Sequence, residues 1–352
     1  MSLSTRSATI SRVVSLCGPT CSASFCAALG ILAACKTGPS DLGIDPGGGG
    51  SGGATTSTTG GRGGVGGSGG EGGVAIVEPD LPARLTLVHG SPDRGELQLC
   101  FASSTGDSGL LPASPLGFAE SFALPDPASA LDVASELEIL VFAGDLDGLS
   151  GSCVDLASDP PPGLDVASLG VVPPGTFSEP RSLALVVTGC FGPAEAEGAE
   201  AGCGPGYTAD TPTLYPVLAP LSRYPSPALG FSVLHAASTF EFLEVEIRPS
   251  QEDAVPFPIV EDLPRGAALP FPPNTSFSKA SLGPPSGAAA LTRVMGAGMQ
   301  VETNLGVAFS NGGLASADNG SNYVLVAVGA SPFAPEGFWE PFTYVVVDAN
   351  PE

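Results

Sequence analysis

From Leu85 onward the chain alternates apolar and polar residues in short runs, each closed by proline or glycine. Leu97, Leu99 and Phe101 are separated by Gln98 and Cys100, and Leu243, Val245 and Ile247 by Glu244 and Glu246. A period of two marks a strand with one buried and one wet face. Denser apolar runs at Leu85–His89, Leu183–Thr188, Phe231–His235 and Tyr323–Val328 also read as strands, as do Leu137 to Phe142, Val301 to Phe309 and Tyr344 to Val347. No stretch of useful length keeps apolar residues at helical spacing without a proline or glycine breaking it. The pattern therefore predicts an all-β protein of short antiparallel strands packed as β-sandwiches.

The pattern also repeats. One gapless shift lays Leu85-Thr86-Leu87-Val88-His89-Gly90-Ser91 on Phe231-Ser232-Val233-Leu234-His235-Ala236-Ala237. The same shift carries Leu97, Leu99 and Phe101 onto Leu243, Val245 and Ile247, and the chain's two histidines onto each other. A second, slightly shorter shift lays Leu183–Gly189 on Tyr323–Gly329. Two tandem domains follow, 80–228 and 229–352, each near the usual domain size.

Leu87-Val88-His89-Gly90-Ser91-Pro92-Asp93 resembles the opening strand of bacterial domain-of-unknown-function family 4397, which typically begins Val-His-Ala-Ser-Pro-Asp-Ala. Asn319-Gly320-Ser321-Asn322-Tyr323 through Gly329 resembles that family's late Gly-x-x-Tyr strand, and Phe342 to Asn350 its terminal strand. The first copy has Gly90 where the family has alanine; the second keeps His235-Ala236 but has Ser238-Thr239 for Pro-Asp. The resemblance implies an immunoglobulin-like or transthyretin-like sandwich in an envelope protein without known catalysis, and it names no functional residues.

Ahead of the strands, residues 1–34 hold Arg6 and Arg12, no acidic residue, and an apolar run from Cys21 to Ala34. That run falls short of the roughly 20 residues a membrane-spanning helix needs. Leu32-Ala33-Ala34-Cys35 resembles a bacterial lipoprotein signal, which implies cleavage before Cys35, acylation of its sulfur and, with Lys36 following, outer-membrane residence. Between Gly47 and Gly73 more than half of the positions are glycine. With no apolar periodicity this stretch is expected to be a disordered tether over 35–79, with a reach of about 35–40 Å.

Full-length charge is 12 Lys+Arg against 36 Asp+Glu, and −26 once the signal is removed. Such a body repels nucleic acid. Asp145-Leu146-Asp147-Gly148 resembles the start of a calcium loop, but Leu149 and Leu156 stand where oxygen ligands belong, so no metal or cofactor is expected. Cys17, Cys21 and Cys26 leave with the signal. Cys100, Cys153, Cys190 and Cys203 remain, an even number for an oxidising compartment with three pairings open to them. Cys190–Cys203 and Cys100–Cys153 are favoured: the first closes a loop of Gly, Ala and Glu with little else to hold it, and the second pins an outer loop to a strand. No Cys-x-x-Cys spacing supports zinc.

Gly106-Asp107-Ser108-Gly109 matches the surroundings of a trypsin-like nucleophile, yet continues Leu110-Leu111 and leaves His89 as the sole nearby base. A solvated loop is the expectation. His89 and His235, each at the end of an apolar run, are expected to be packed histidines donating to a backbone carbonyl. The paired carboxylates Glu136/Glu138 and Glu244/Glu246 are expected to face solvent. The chain thus reads as a non-catalytic, monomeric envelope lipoprotein, membrane-bound through Cys35, with an adhesion, binding or structural role toward an envelope protein or glycan. The alternative is a tethered hydrolase or carbohydrate-active module.

Overall fold

The computed structural model describes residues 83–178, 182–192, 202–204, 213–221, 227–251, 253–269, 276–294, 299–334 and 339–349. They fall within one compact unit, Arg62–Glu352; the signal, Cys35 and the Gly-rich stretch lie outside the described residues. No helix among those described is long and apolar enough to cross a membrane.

The first half of the unit is a sandwich of two sheets. Its inner sheet has the order β5 (Ser121–Leu124), β1 (Arg84–His89), β8 (Ser182–Thr188), β9 (Tyr215–Pro220). Its outer sheet runs β3 (Gly106–Asp107), β2 (Glu96–Ser103), β6 (Leu137–Gly144), β7 (Leu164–Val172), with β4 (Leu111–Gly117) also on β2. Two short helices, α1 (Pro127–Ala130) and α2 (Cys153–Ser158), lie in its connections.

The second half repeats the plan. Its inner sheet is β13 (Ser276–Phe277), β10 (Leu229–His235), β16 (Asn322–Val328), β17 (Thr343–Asp348). Its outer sheet is β12 (Phe257–Pro264), β11 (Phe242–Arg248), β14 (Ala289–Val294), β15 (Met299–Asn304). Helices α3 (Lys279–Leu282) and α4 (Leu305–Asn311) complete it.

Antiparallel pairing prevails, with one exception at the centre of each inner sheet: β1 pairs β8 in parallel, and β10 pairs β16 in parallel. The two registers are the same. Leu85 lies opposite Leu183, and Phe231 opposite Tyr323, so the two gapless shifts seen in the sequence preserve every partner. The hairpins that follow β1 and β10 match too. The His89 N–H donates to Glu120 O at 3.1 Å and the Ala119 N–H to His89 O at 2.9 Å; the His235 N–H donates to Ala267 O at 3.0 Å and the Gly266 N–H to His235 O at 2.8 Å.

Each sandwich has its own core. Leu85, Leu87, Leu97, Leu99, Phe101, Ile139 and Val141 fill the first; Phe231, Val233, Leu243, Val245, Ile247, Leu325 and Tyr344 fill the second. Burying side chains of this size is worth roughly 1.5–3 kcal/mol each. A third cluster joins the two. Val88, Val186, Leu234, Val324, Val326 and Val345 pack together, so the two inner sheets stack on their outward faces and the molecule has four layers. That stacking explains why β8, β10 and β16 are buried at every residue. It also explains Gly90, where the second copy has Ala236: a Cβ at Gly90 would stand 2.8 Å from Val328 Cγ1 and 3.1 Å from Val187 O.

Two expectations need correction. Val301 to Phe309 is not one strand: β15 ends at Asn304, whose side chain accepts from the Val307 N–H at 3.2 Å and starts α4. Leu305, Ala308 and Phe309 then share the buried face of that helix. The polar face of β2 is not wet, because Gln98 and Cys100 are buried beneath β4 and α2. The dense apolar strands β1 and β10 are covered on both sides. On β11 the alternation holds, with Leu243, Val245 and Ile247 inward and Glu244, Glu246 and Arg248 on the outer face.

Both disulfides are formed, Cys100–Cys153 and Cys190–Cys203. The first straps α2 over the outer face of β2; the second lies with Ala330 and Trp339 where the sandwiches meet.

Because Gly90 lacks room for a side chain, Gly90→Val should destabilise the protein by about 1–3 kcal/mol. Urea unfolding followed by near-ultraviolet circular dichroism checks this, and an unchanged midpoint would refute the packing described for the inner sheets.

Candidate functional site

The polar groups that stand out in sequence are taken up in three places. The first is the turn from β1 to β2. His89 is fully buried; its Nε2 lies 3.1 Å from the Arg94 carbonyl and its Nδ1 accepts from the Ser91 N–H at 3.3 Å. Both ring nitrogens are thus used by the turn that follows the residue. Burial pushes the imidazole down to about 3, with the Arg94 carbonyl opposing the shift. Ser91 Oγ lies 2.8 Å from both Asp93 Oδ1 and the Gly189 carbonyl. Asp93 Oδ2 accepts from the Phe191 N–H at 3.0 Å and the Gly192 N–H at 3.3 Å. Burial raises the Asp93 carboxyl; Ser91, Arg94 and those two amides pull it back. Arg94 bridges Asp93 at 3.6 Å and Asp165 at 2.8 Å, and its guanidinium carbon lies 5.3 Å from the Phe191 ring centroid.

This corner forms one wall of a cleft of about 380 Å³, lined by Pro92, Asp93, Arg94 and Gly95 on one side and Trp339, Glu340 and Pro341 on the other. The Glu340 N–H donates to Pro92 O at 2.8 Å across it. Trp339 packs against Gly202, whose lack of a Cβ makes the approach sterically open. Arg94, Asp165, Trp339 and Glu340 drew no attention in sequence; the one available signal was that Trp339 is the chain's single tryptophan.

The second place is the equivalent turn after β10. There the shift that superposes the two histidines puts Thr239 at the Asp93 position and Phe240 at the Arg94 position. Phe240 turns inward against Phe342, with ring centroids 5.5 Å apart. Its carbonyl, the counterpart of the Arg94 carbonyl, accepts from Arg265 Nε at 3.0 Å. His235 is also buried, and neither of its ring nitrogens has a hydrogen-bond partner among the described residues. Burial and then the Arg265 charge push it down to about 4, with the Phe240 carbonyl pulling weakly the other way. The expectation of a packed histidine bonded to a carbonyl therefore holds at His89; at His235 the corresponding carbonyl, that of Phe240, accepts from Arg265.

The third place is the Gly-Asp-Ser-Gly loop. Ser108 Oγ accepts from the Phe101 N–H at 3.0 Å and donates to Gly109 O at 2.7 Å. Asp107 Oδ2 accepts from Ser152 Oγ at 2.6 Å and the Val154 N–H at 3.4 Å, while its Oδ1 accepts from the Gly109 N–H at 3.0 Å. Burial works to raise the Asp107 pKa, but the Ser152 hydroxyl and the Gly109, Val154 and Cys153 amides together hold it below the usual range. Asp107 thus caps α2, the helix that carries Cys153. Ser108 and His89 belong to separate hydrogen-bond groups, and no proton path of the triad kind joins them among the described residues.

Among the described residues, the cluster with metal-ligand potential is Cys100, Asp107 and Cys153, whose two sulfurs are joined to each other. Asp145 and Asp147 are exposed on a turn anchored by buried Leu146. Glu138 accepts from Ser168 Oγ at 2.7 Å. Arg293 reaches Glu244 at 2.9 Å and Glu246 at 3.6 Å, exposed pairs worth no more than about 1 kcal/mol.

No family model and no curated protein matches the chain. Several solved structures are similar, among them two at 10% identity. One is a candidate cell adhesion protein from Bacteroides uniformis, covering 76% of this chain and 98% of its own, with a TM-score of 0.24. The other is the tip fimbrial protein Mfa3 from Porphyromonas gingivalis with C-terminal truncation, covering 77% and 100%, with a TM-score of 0.19. TM-scores this low do not establish a common strand arrangement.

The depressed histidines set a pH dependence. Unfolded histidine titrates near 6.5, so below that value the unfolded chain binds protons that the folded one refuses. Stability is fully present above pH ~6.5 and falls as the pH drops toward about 4 and then about 3. Asp93, raised when folded, acts in the opposite sense in its own range. Urea midpoints measured from pH 7.5 to pH 4.5 (values chosen about the histidine range) should decline steadily. His235→Leu should flatten that decline at little cost, whereas His89→Leu should cost about 1–3 kcal/mol by stranding the Arg94 carbonyl and Ser91 amide.

Proposed function

We propose that this chain is a non-catalytic lipoprotein of the bacterial cell envelope, in which paired β-sandwiches act as a binding, adhesion or structural module on a Gly-rich tether. The observation that carries this reading is how the reactive-looking side chains are used. His89 is locked between Ser91 and Arg94, and Ser108 between Phe101 and Gly109. A hydrolase needs a nucleophile and a base within reach of one another. Arg94 and Asp93, the charged pair lining the junction cleft, are bonded to each other and to the surrounding chain.

What remains for outside contact is extended surface of strongly acidic character. Over residues 83–178 the chain carries two basic side chains, Arg84 and Arg94, against thirteen acidic ones. Such a surface disfavours nucleic acid and anionic lipid headgroups. Attachment through acylated Cys35 supplies membrane contact without an electrostatic contribution from the folded body. Leu32-Ala33-Ala34-Cys35 and the glycine run after it support that attachment. Partner classes open to such a module are envelope proteins and glycans.

Two measurements test the reading. Cys35→Ser should abolish incorporation of labelled palmitate and move the protein from the detergent phase to the aqueous phase in Triton X-114 partition; unchanged partition would refute the lipid anchor. The mature protein should also capture envelope components or glycans without turning over ester, peptide or glycosidic substrates. Turnover that disappears in Ser108→Ala would refute the non-catalytic assignment.

A further inference from the structure

The free strand edges of the four sheets differ in how they are closed to other chains. Exposed edges invite pairing, and proteins blunt them with prolines, charges, short strands or a covering helix. β3 and β13 are two residues long and β5 four. β4 contains Pro112 and Pro115, β9 Pro216 and Pro220, and β12 Pro258 and Pro264. The edge of β17 is covered by α4, where Asn311 Nδ2 donates to Tyr344 O at 3.1 Å. β15 has six residues and turns directly into α4.

β7 is blunted less: it carries one charge, Asp165, near its start and a register shift near Gly170. It is nine residues long, Leu-Asp-Val-Ala-Ser-Leu-Gly-Val-Val, without proline or lysine. Among the described residues it pairs with β6 alone, one-to-one from Leu164↔Gly144 to Ser168↔Leu140, and only then shifts register near Gly170. Beside it on the outer face lies a groove of about 410 Å³ between α2 and the sheet, walled by Leu140, Val166, Val154 and Ala157 with Glu138 and Ser168 at its rim. Val154 and Val171 are each 44% exposed.

From this we infer that the free edge of β7, with the groove under α2, takes up an extended polypeptide strand in which basic and apolar side chains alternate. Backbone pairing to β7 would supply affinity, and alternate side chains would enter the groove. Charge selects the occupant. Glu138 lines the groove, and Asp155 and Asp159 are exposed on and just after α2, the helix that forms its other wall. A second copy of this chain would bring the same three carboxylates against them, which disfavours self-pairing. The inference deepens the binding-module reading and rests on it.

The test uses the full mature chain and a short synthetic peptide of alternating Val and Lys, with Val–Glu and backbone N-methylated Val–Lys peptides as controls. The Val–Lys peptide should bind, measured by fluorescence anisotropy, weaken as salt rises, and slow amide hydrogen exchange across residues 164–172. Val154→Lys should weaken binding about tenfold, whereas Val307→Lys, at an exposed position of α4, should leave it unchanged. The proposal is overturned if the Val–Lys peptide fails to bind, if either control binds as well, if exchange at 164–172 is unaffected, or if sedimentation shows the chain pairing with itself through β7. Retained capture of envelope components alongside any of these results would sink the β7 site alone; loss of both would sink the broader reading.

Discussion

The arrangement depends on the apolar contact between the two inner sheets. Val88, Val186, Leu234, Val324, Val326 and Val345 meet there in one buried layer. A sandwich ordinarily turns one face of each sheet to solvent. Here each inner sheet is covered twice, by its own outer sheet and by the other copy's inner sheet. Residues that would otherwise be free to vary on a wet face must then be small, branched and apolar. The valine-rich sequences of β8, β16 and β17 reflect that requirement. Cross-links at the margin reinforce the contact: Thr188 Oγ1 donates to the Ala236 carbonyl, and Ser121 Oγ to the Gly312 carbonyl at 3.3 Å.

That contact also accounts for how the copies have diverged. In both, the first strand ends on a buried histidine and turns sharply, with Ala119 or Gly266 at positive φ of 58° and 76° in the partner hairpin. In the first copy the turn is braced by charge, with Asp93 accepting amides from 191–192 and Arg94 joining it to Asp165. In the second copy the brace is an aromatic core contact, Phe240 on Phe342. Phe240 turns into an apolar core, where Arg94 reaches toward the polar cleft beside Trp339. The same backbone turn thus serves two different surroundings.

The outer sheets show a parallel division of labour. In the second copy the outer face is a solvated lattice of ion pairs around Arg293 and Arg248. In the first, the Cys100–Cys153 bridge and the Asp107 cap hold α2 across that face, where Phe142 is buried. The helix leaves a groove at its far side and an edge strand beyond it. The Gly-Asp-Ser-Gly loop, which looks catalytic in one dimension, is the clamp that seats this helix.

The strands and their repeat were legible in the sequence because a pleated strand advertises itself at period two, and because both parallel pairs keep one register when Leu85 is laid on Phe231 and Leu183 on Tyr323. The cysteine pairing was legible because four thiols in one half leave few choices. Helix α4 was not, since Gly306 interrupts its short apolar face, which only the Asn304 cap and the core reveal. The corner at Arg94, Asp165 and Trp339 was not either, because its members come from β1's turn, β7 and the segment before β17, far apart along the chain. Alternation along one strand tells which side chains share a face, and this the residues determined by themselves. Whether that face meets water, a helix or another sheet depends on surfaces contributed from distant segments, and only the tertiary structure decided it.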